Sequence, residues 1–125
     1  MKIQKLLREN TSLKLNVANL SVDDIIRLLH ETGYNDKETD KILRDADDAN
    51  YFKYSGYVST SHSHTYDCGY FDEDQECWSI FRLFVYISRD GTLECEYGGM
   101  PIKEFPGDEE DAEKEVEKYF RMLKP

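Results

Sequence analysis

The sequence predicts an α+β fold: an N-terminal helical hairpin, a three-stranded antiparallel β-meander and a C-terminal amphipathic helix packed on the sheet. Three observations carry it. Apolar residues recur at helical spacing near both ends of the chain, two segments in the middle are rich in aromatic and β-branched residues, and glycines with turn residues separate them. With 125 residues the chain is the size of one domain. We divide it into a basic leader over 1–20, the helical hairpin over 21–48, the sheet over 51–98 and the last helix over 108–123.

Ser21 stands before Val22, Asp23 and Asp24, an N-cap residue followed by first-turn acids, and Val22, Ile25, Ile26 and Leu29 lie on one helical face. This predicts a helix over about 22–32, stopped by Gly33 at the C′ position. A second helix starts at Asn35 or Asp36 and runs to about 47, with Ile42, Leu43 and Ala46 as a thin apolar side. The stretch LLHETGY before a second helix is loosely similar to ubiquitin-associated domains, but a compact third helix is missing because the chain turns to β at Tyr51.

YFKYSGYVSTSHSHTY, residues 51–66, predicts one long strand interrupted at Gly56. WSIFRLFVYIS, residues 78–88, is apolar at nearly every position and reads as the central strand; TLECEYG, residues 92–98, alternates. The register of this last pair follows from side-chain pattern, since a one-residue slip exchanges the faces of a strand. A three-residue loop, Arg89 to Gly91 with the glycine left-handed, sets Ile87, Val85 and Leu83 opposite Leu93, Cys95 and Tyr97. Phe84 and Tyr86 then share the other face with Glu96 and Glu94. Asp108 is placed to cap the closing helix, in which Ala112, Val116, Tyr119, Phe120 and Leu123 form the buried stripe.

Charge is the strongest global signal: 26 acids against 16 bases give −10, with a +3 contribution from residues 1–20 and −13 from the rest. Such a field repels phosphate backbones and anionic membranes and attracts basic proteins. Neither nucleic acid nor membrane is expected as a direct partner. No apolar run reaches the ~20 residues needed to span a bilayer, and MKIQKLLREN lacks the apolar core of a secretory signal. Three cysteines, Cys68, Cys77 and Cys95, cannot all pair within one chain, which agrees with a reducing compartment. The expected location is the cytoplasm, that of the host cell if the chain is phage-encoded.

SHSHTYDCGYFDEDQEC, residues 61–77, is the densest chemical stretch. On a strand His62 and His64 point to one side, and Cys68 folding back toward them, with Cys77 as a fourth ligand, makes a metal-dependent enzyme or sensor one alternative. The spacing matches no strong zinc pattern, and the acids lack the central glycine of an EF-type calcium loop. Neither metal nor cofactor is expected. The preferred reading is an exposed acidic loop of ten residues, Asp67 to Glu76, longer than a hairpin requires and therefore a candidate for use. No G-x-S-x-G, phosphate-cradling glycine loop or H-E-x-x-H occurs, and no enzyme activity is expected.

The meander of YFKYSGYVSTSHSHTY, WSIFRLFVYIS and TLECEYG, with the acid clusters DEDQE and GDEEDAEKEVEKY, resembles small acidic phage-encoded anti-CRISPR proteins in type and topology. No sequence motif is shared. The resemblance implies an inhibitor whose carboxylates occupy the nucleic-acid-binding surface of a basic nuclease such as a CRISPR effector, while aromatic residues anchor it. The partner-binding candidates are Asp72, Glu73, Asp74 and Glu76 in the loop, Glu94 and Glu96 on the hairpin, and Tyr70, Phe71, Phe84 and Tyr86 as anchors. An immunity protein that neutralises a basic toxin nuclease is a second reading from the same physics.

Overall fold

The computed structural model describes residues 16–125; residues 1–15, which hold the basic side chains of the expected leader, lie outside the described residues. Among the described residues the fold is α+β, with three α-helices and a five-stranded antiparallel sheet. In chain order these are a 3-10 turn at Val17–Asn19, α1 (Val22–Glu31), α2 (Lys37–Asp48), β1 (Phe52–Val58), β2 (Ser63–Asp72), β3 (Cys77–Ile87), β4 (Leu93–Tyr97), β5 (Lys103–Pro106) and α3 (Glu109–Met122). Among the described residues no helix is long and apolar enough to cross a membrane.

The helical hairpin forms where its caps lie. Ser21 Oγ accepts the Asp24 N–H at 3.1 Å and Asp24 returns a carboxylate oxygen to the Ser21 N–H at 3.0 Å, a complete capping box. At the other end the Tyr34 N–H donates to Leu29 O at 2.8 Å and the Gly33 N–H to His30 O at 3.1 Å, the paired bonds of a Schellman stop. Ile25, Leu28 and Leu29 of α1 and Leu43 and Ala46 of α2 are buried, and α1 lies over β4 while α2 lies over β2.

The sheet runs β1-β2-β3-β4, and β5 pairs with the first half of β3 beside β4. This corrects the three-stranded expectation twice. The long first strand is two strands, because residues 59–62 turn the chain back and His62 adopts a positive φ of 52°. The short strand KEFP at β5 has its own place on β3, from Cys77↔Pro106 to Ile80↔Lys103. The β3–β4 register is the expected one, with Val85↔Cys95 and Ile87↔Leu93, and Gly91 left-handed at φ 88°.

Side chains alternate along β3. Leu83 and Val85, both fully buried, face the helical hairpin together with Tyr66, whose hydroxyl accepts the Leu20 N–H at 2.9 Å and donates to Val17 O. Trp78 and Ile80 point to the other side, where α3 supplies Ala112, Val116 and Phe120. On that side β1 bulges at Gly56, the interruption the sequence marks, with φ 134°. A β-carbon there would stand 2.8 Å from the Pro125 ring, so glycine is demanded by conformation and by the close approach of the chain's last residue.

One charge pair is buried beneath this C-terminal crossing. Asp67, with no exposed surface, accepts Arg82 Nε at 2.8 Å and Nη2 at 2.9 Å, and also the Ser55 hydroxyl. Arg82 Nη2 donates in addition to Lys124 O at 2.8 Å. The guanidinium is held above its ordinary pKa by the Asp67 carboxylate.

Candidate partner-binding surface

The candidate residues fall into two groups at opposite ends of β3. The first lies at the β2–β3 turn. Tyr70, Phe71 and Asp72 belong to β2, and only residues 73–76 form the connection, so the ten-residue loop expected from Asp67 to Glu76 is a four-residue turn. The physical reason is the Asp67–Arg82 pair, which lets an acidic residue occupy a central strand. Phe71 is correspondingly no free anchor: its ring packs on Trp78, centroids 5.6 Å apart, and both Tyr70 and Phe71 are half-buried.

Asp72 Oδ1 accepts the Asp74 N–H at 2.9 Å, which fixes the turn, while Glu73, Asp74 and Glu76 stay exposed. Two long-range bonds then bring in residues that sequence reasoning had not grouped with this turn. The Gly107 N–H donates to Glu76 O at 3.0 Å, and Trp78 Nε1 donates to Glu109 O at 3.0 Å. The N-terminus of α3, with Asp108, Glu109, Glu110 and Asp111 exposed, is thereby joined to the acidic turn. Asp108 holds the N-cap position without a side-chain capping bond.

From the hairpin side, α2 brings Asp45 and Lys41 against Tyr70, Phe71 and Asp72 around a shallow depression. Lys41 is bonded to Asp45 at 2.5 Å, and this contact raises the lysine's pKa. Among the described residues, no ion pair involves any carboxylate of the turn or of the first turn of α3. One end of the molecule is therefore an acidic surface built from the β2–β3 turn and the first turn of α3, flanked by the Lys41–Asp45 pair of α2. Charge runs in the sequence contain its members, but only the long-range Glu76–Gly107 and Trp78–Glu109 bonds, each spanning 31 residues, show that they adjoin.

The second group is Phe84, Tyr86, Glu94 and Glu96. Tyr86 lies nine positions along β3 from Cys77, on the order of 30 Å, so this group does not join the first. Its internal geometry is as expected: Phe84↔Glu96 and Tyr86↔Glu94 are paired, both rings are half-buried and both glutamates are exposed. Tyr86 Oη donates to Glu96 at 2.8 Å, and burial followed by that carboxylate pushes the phenol up to about 12. A cleft of about 750 Å³ runs along the outer side of β4 next to these residues, between the strand and the end of α1.

The proposed metal ligands do not converge. His62 sits in the β1–β2 turn, not on the strand, and its Nδ1 pairs with Tyr57 Oη at 3.3 Å; His64 Nδ1 pairs with Tyr54 Oη at 2.9 Å. Burial lowers the His64 pKa, which favours the neutral ring. Cys68 lies four residues further along β2, roughly 13 Å away. Among the described residues no group of three or more His, Cys, Asp or Glu is arranged to hold a metal ion.

The thiols are equally secluded. Cys68 and Cys95 are buried, and burial first, then the Asp67 and Glu96 carboxylates respectively, push each up to about 12. In native protein at pH 8, iodoacetamide should modify both at least about a hundredfold more slowly than in denaturant, as read by mass spectrometry of the intact chain. Native rates equal to the denatured ones would contradict this packing. The chain matches no family model, no curated protein and no solved structure.

Proposed function

We propose that this protein is an acidic inhibitor that docks on the nucleic-acid-binding surface of a basic protein, a nuclease such as a CRISPR effector, and excludes the nucleic acid by occupying its place. One observation carries the reading: the β2–β3 turn and the start of α3 adjoin through the Glu76–Gly107 bond and present carboxylates that form no ion pair among the described residues. Exposed acids held on a turn and a helix end offer a basic channel a charge pattern of the sign and density that a phosphate backbone offers. The sheet and the helical hairpin behind them supply a rigid support, so little ordering is required on docking.

The group at the far end of β3, Glu94 and Glu96 with Phe84 and Tyr86, is too distant to belong to the same contact unless the partner spans the whole sheet. The acidic end is therefore the principal surface in this reading, and Asp108 to Asp111 join Asp72, Glu73, Asp74 and Glu76 in it.

The test is displacement of a labelled DNA duplex from a Cas9-type effector, and separately from a basic toxin nuclease, followed by fluorescence anisotropy. The wild-type chain is expected to displace duplex from its target at ~50 mM salt and less well at ~200 mM. Neutralising the turn with Asp72→Asn, Glu73→Gln and Asp74→Asn should slow association by about tenfold with little change in dissociation. Displacement that is equally efficient after neutralisation would sink the reading, as would failure against both nuclease classes. Success against the toxin nuclease alone would identify an immunity protein acting through the same surface.

A further inference from the structure

The outer side of β4 has a chemistry that the acidic end does not share. Pairs 88/92 and 82/98 of the β3–β4 ladder are hydrogen-bonded, Ser88 N–H to Thr92 O at 2.8 Å and Gly98 N–H to Arg82 O at 3.2 Å. Because bonded pairs alternate in an antiparallel ladder, Glu94 and Glu96 spend their backbone groups on β3, while those of Leu93, Cys95 and Tyr97 point outward. Among the described residues no strand lies on that side, and the one outward group engaged is Cys95 O, which accepts Thr32 Oγ1 at 3.3 Å. The 750 Å³ cleft follows this row of groups.

We propose that the open edge of β4 is a docking strand for an extended peptide with basic residues at alternate positions. The spacing follows from the pleat. Residues of an added strand that lie beside Glu94 and Glu96 project on the same face as those carboxylates, and such residues are two apart. No lysine, arginine or histidine is among the described residues lining the cleft, and its charges on β4 are the exposed Glu94 and Glu96. Backbone bonds to Leu93, Cys95 and Tyr97 would supply affinity, and a Lys or Arg over each glutamate would supply selection.

A second copy of this chain is the obvious competitor, since open edges invite pairing. Its charges oppose it: antiparallel pairing of two β4 strands about Cys95 sets each Glu94 against Glu96 of the other copy, and parallel pairing in register sets like against like as well. Like charges on two β4 strands therefore favour a basic strand from another protein over a second copy. The inference does not rest on the inhibitor reading, because the surface lies at the other end of β3 and uses different residues.

The probe is the fluorescein-labelled peptide Thr-Lys-Val-Arg-Val-Lys-Thr, compared by anisotropy with a peptide of the same composition whose bases are contiguous, and with a version N-methylated at alternate residues. The full chain should bind the alternating peptide at least about fivefold more tightly than the contiguous one. N-methylation, which preserves charge and removes edge bonding, should weaken it about tenfold, as should Glu94→Gln with Glu96→Gln. Amide exchange by NMR should show new protection at Leu93, Cys95 and Tyr97. Equal binding of all three peptides, or absence of that protection, overturns the proposal. Protection that appears without peptide and grows with protein concentration assigns the edge to a second copy and overturns it too. Binding lost in the Asp72, Glu73 and Asp74 variant but kept in Glu94→Gln/Glu96→Gln moves the peptide to the acidic end, overturning this proposal while leaving the duplex-displacement result standing.

Discussion

Asp67→Ala is expected to remove about 3–5 kcal/mol of folding stability, because it strands the Arg82 guanidinium in the interior without a counter-charge. Asp67 has no exposed surface and the Arg82 side chain is 15% exposed, so water screens the pair little. The carboxylate also orders Ser55, and the guanidinium holds the Lys124 carbonyl, so the damage spreads to β1 and to the C-terminal crossing. Urea denaturation monitored by tryptophan fluorescence measures the loss. A double replacement, Asp67→Leu with Arg82→Leu, should recover most of it, since removing both charges leaves neither unpaired. A loss below ~1 kcal/mol for Asp67→Ala would mean that water reaches Arg82 readily and that the pair is not a buried one.

Trp78→Ala is the second large effect, about 3–5 kcal/mol, and it touches function as well as stability. The indole is 4% exposed, lies edge-on to Tyr51 at 5.1 Å, packs at a tilt against Phe71 and donates to Glu109 O. It is the fastening between the sheet and the first turn of α3. Trp78→Phe keeps much of the packed volume and removes the N–H, which should cost about 1–2 kcal/mol. That milder variant should remain folded at 25 °C and should weaken duplex displacement by loosening Glu109 and its neighbours from the acidic turn. Unchanged displacement in folded Trp78→Phe would show that the relative placement of the two acid groups does not matter.

Local signals were legible where the physics is local. Ser21 with Asp24 and Gly33 with Tyr34 close α1 through neighbours in sequence, and both ends were readable. The β3–β4 register was readable for the same reason, since alternation in two short segments and one glycine decide it. The β2 strand was hidden because its reading depends on a distant partner: DCGYFD looks like a loop until Arg82 neutralises Asp67. Gly69 in the same stretch reads as a turn residue, yet it is buried under Tyr51, whose Cβ would lie 3.2 Å from an added methyl. Residues 59–62 went the other way, Ser, Thr and His passing for strand while forming a turn. β5 is four residues, the last of them a proline, too short for any pattern to emerge.

The candidate surface followed the same division. Pairing of Phe84 and Tyr86 with Glu96 and Glu94 was derivable from parity along two strands. That DEDQE meets GDEED was not, because nothing in either run specifies the other; the contact is made by backbone groups of Glu76 and Gly107, which carry no side-chain signature.

The irregular borders of the sheet have a consequence for behaviour at high concentration. WSIFRLFVYI is the segment most suited to seeding fibrils, being long, apolar and rich in β-formers. In the folded chain it is sealed by β2 on one flank and by β4 and β5 end to end on the other. Among the described residues the strands left outermost are poor templates for a second copy of the chain: β1 is kinked at Gly56, β4 is five residues bearing two glutamates, and β5 ends in a proline that has no N–H to offer. Aggregation therefore has to wait for the sheet to open, which ties the shelf life of the protein to its unfolding rate rather than to its surface.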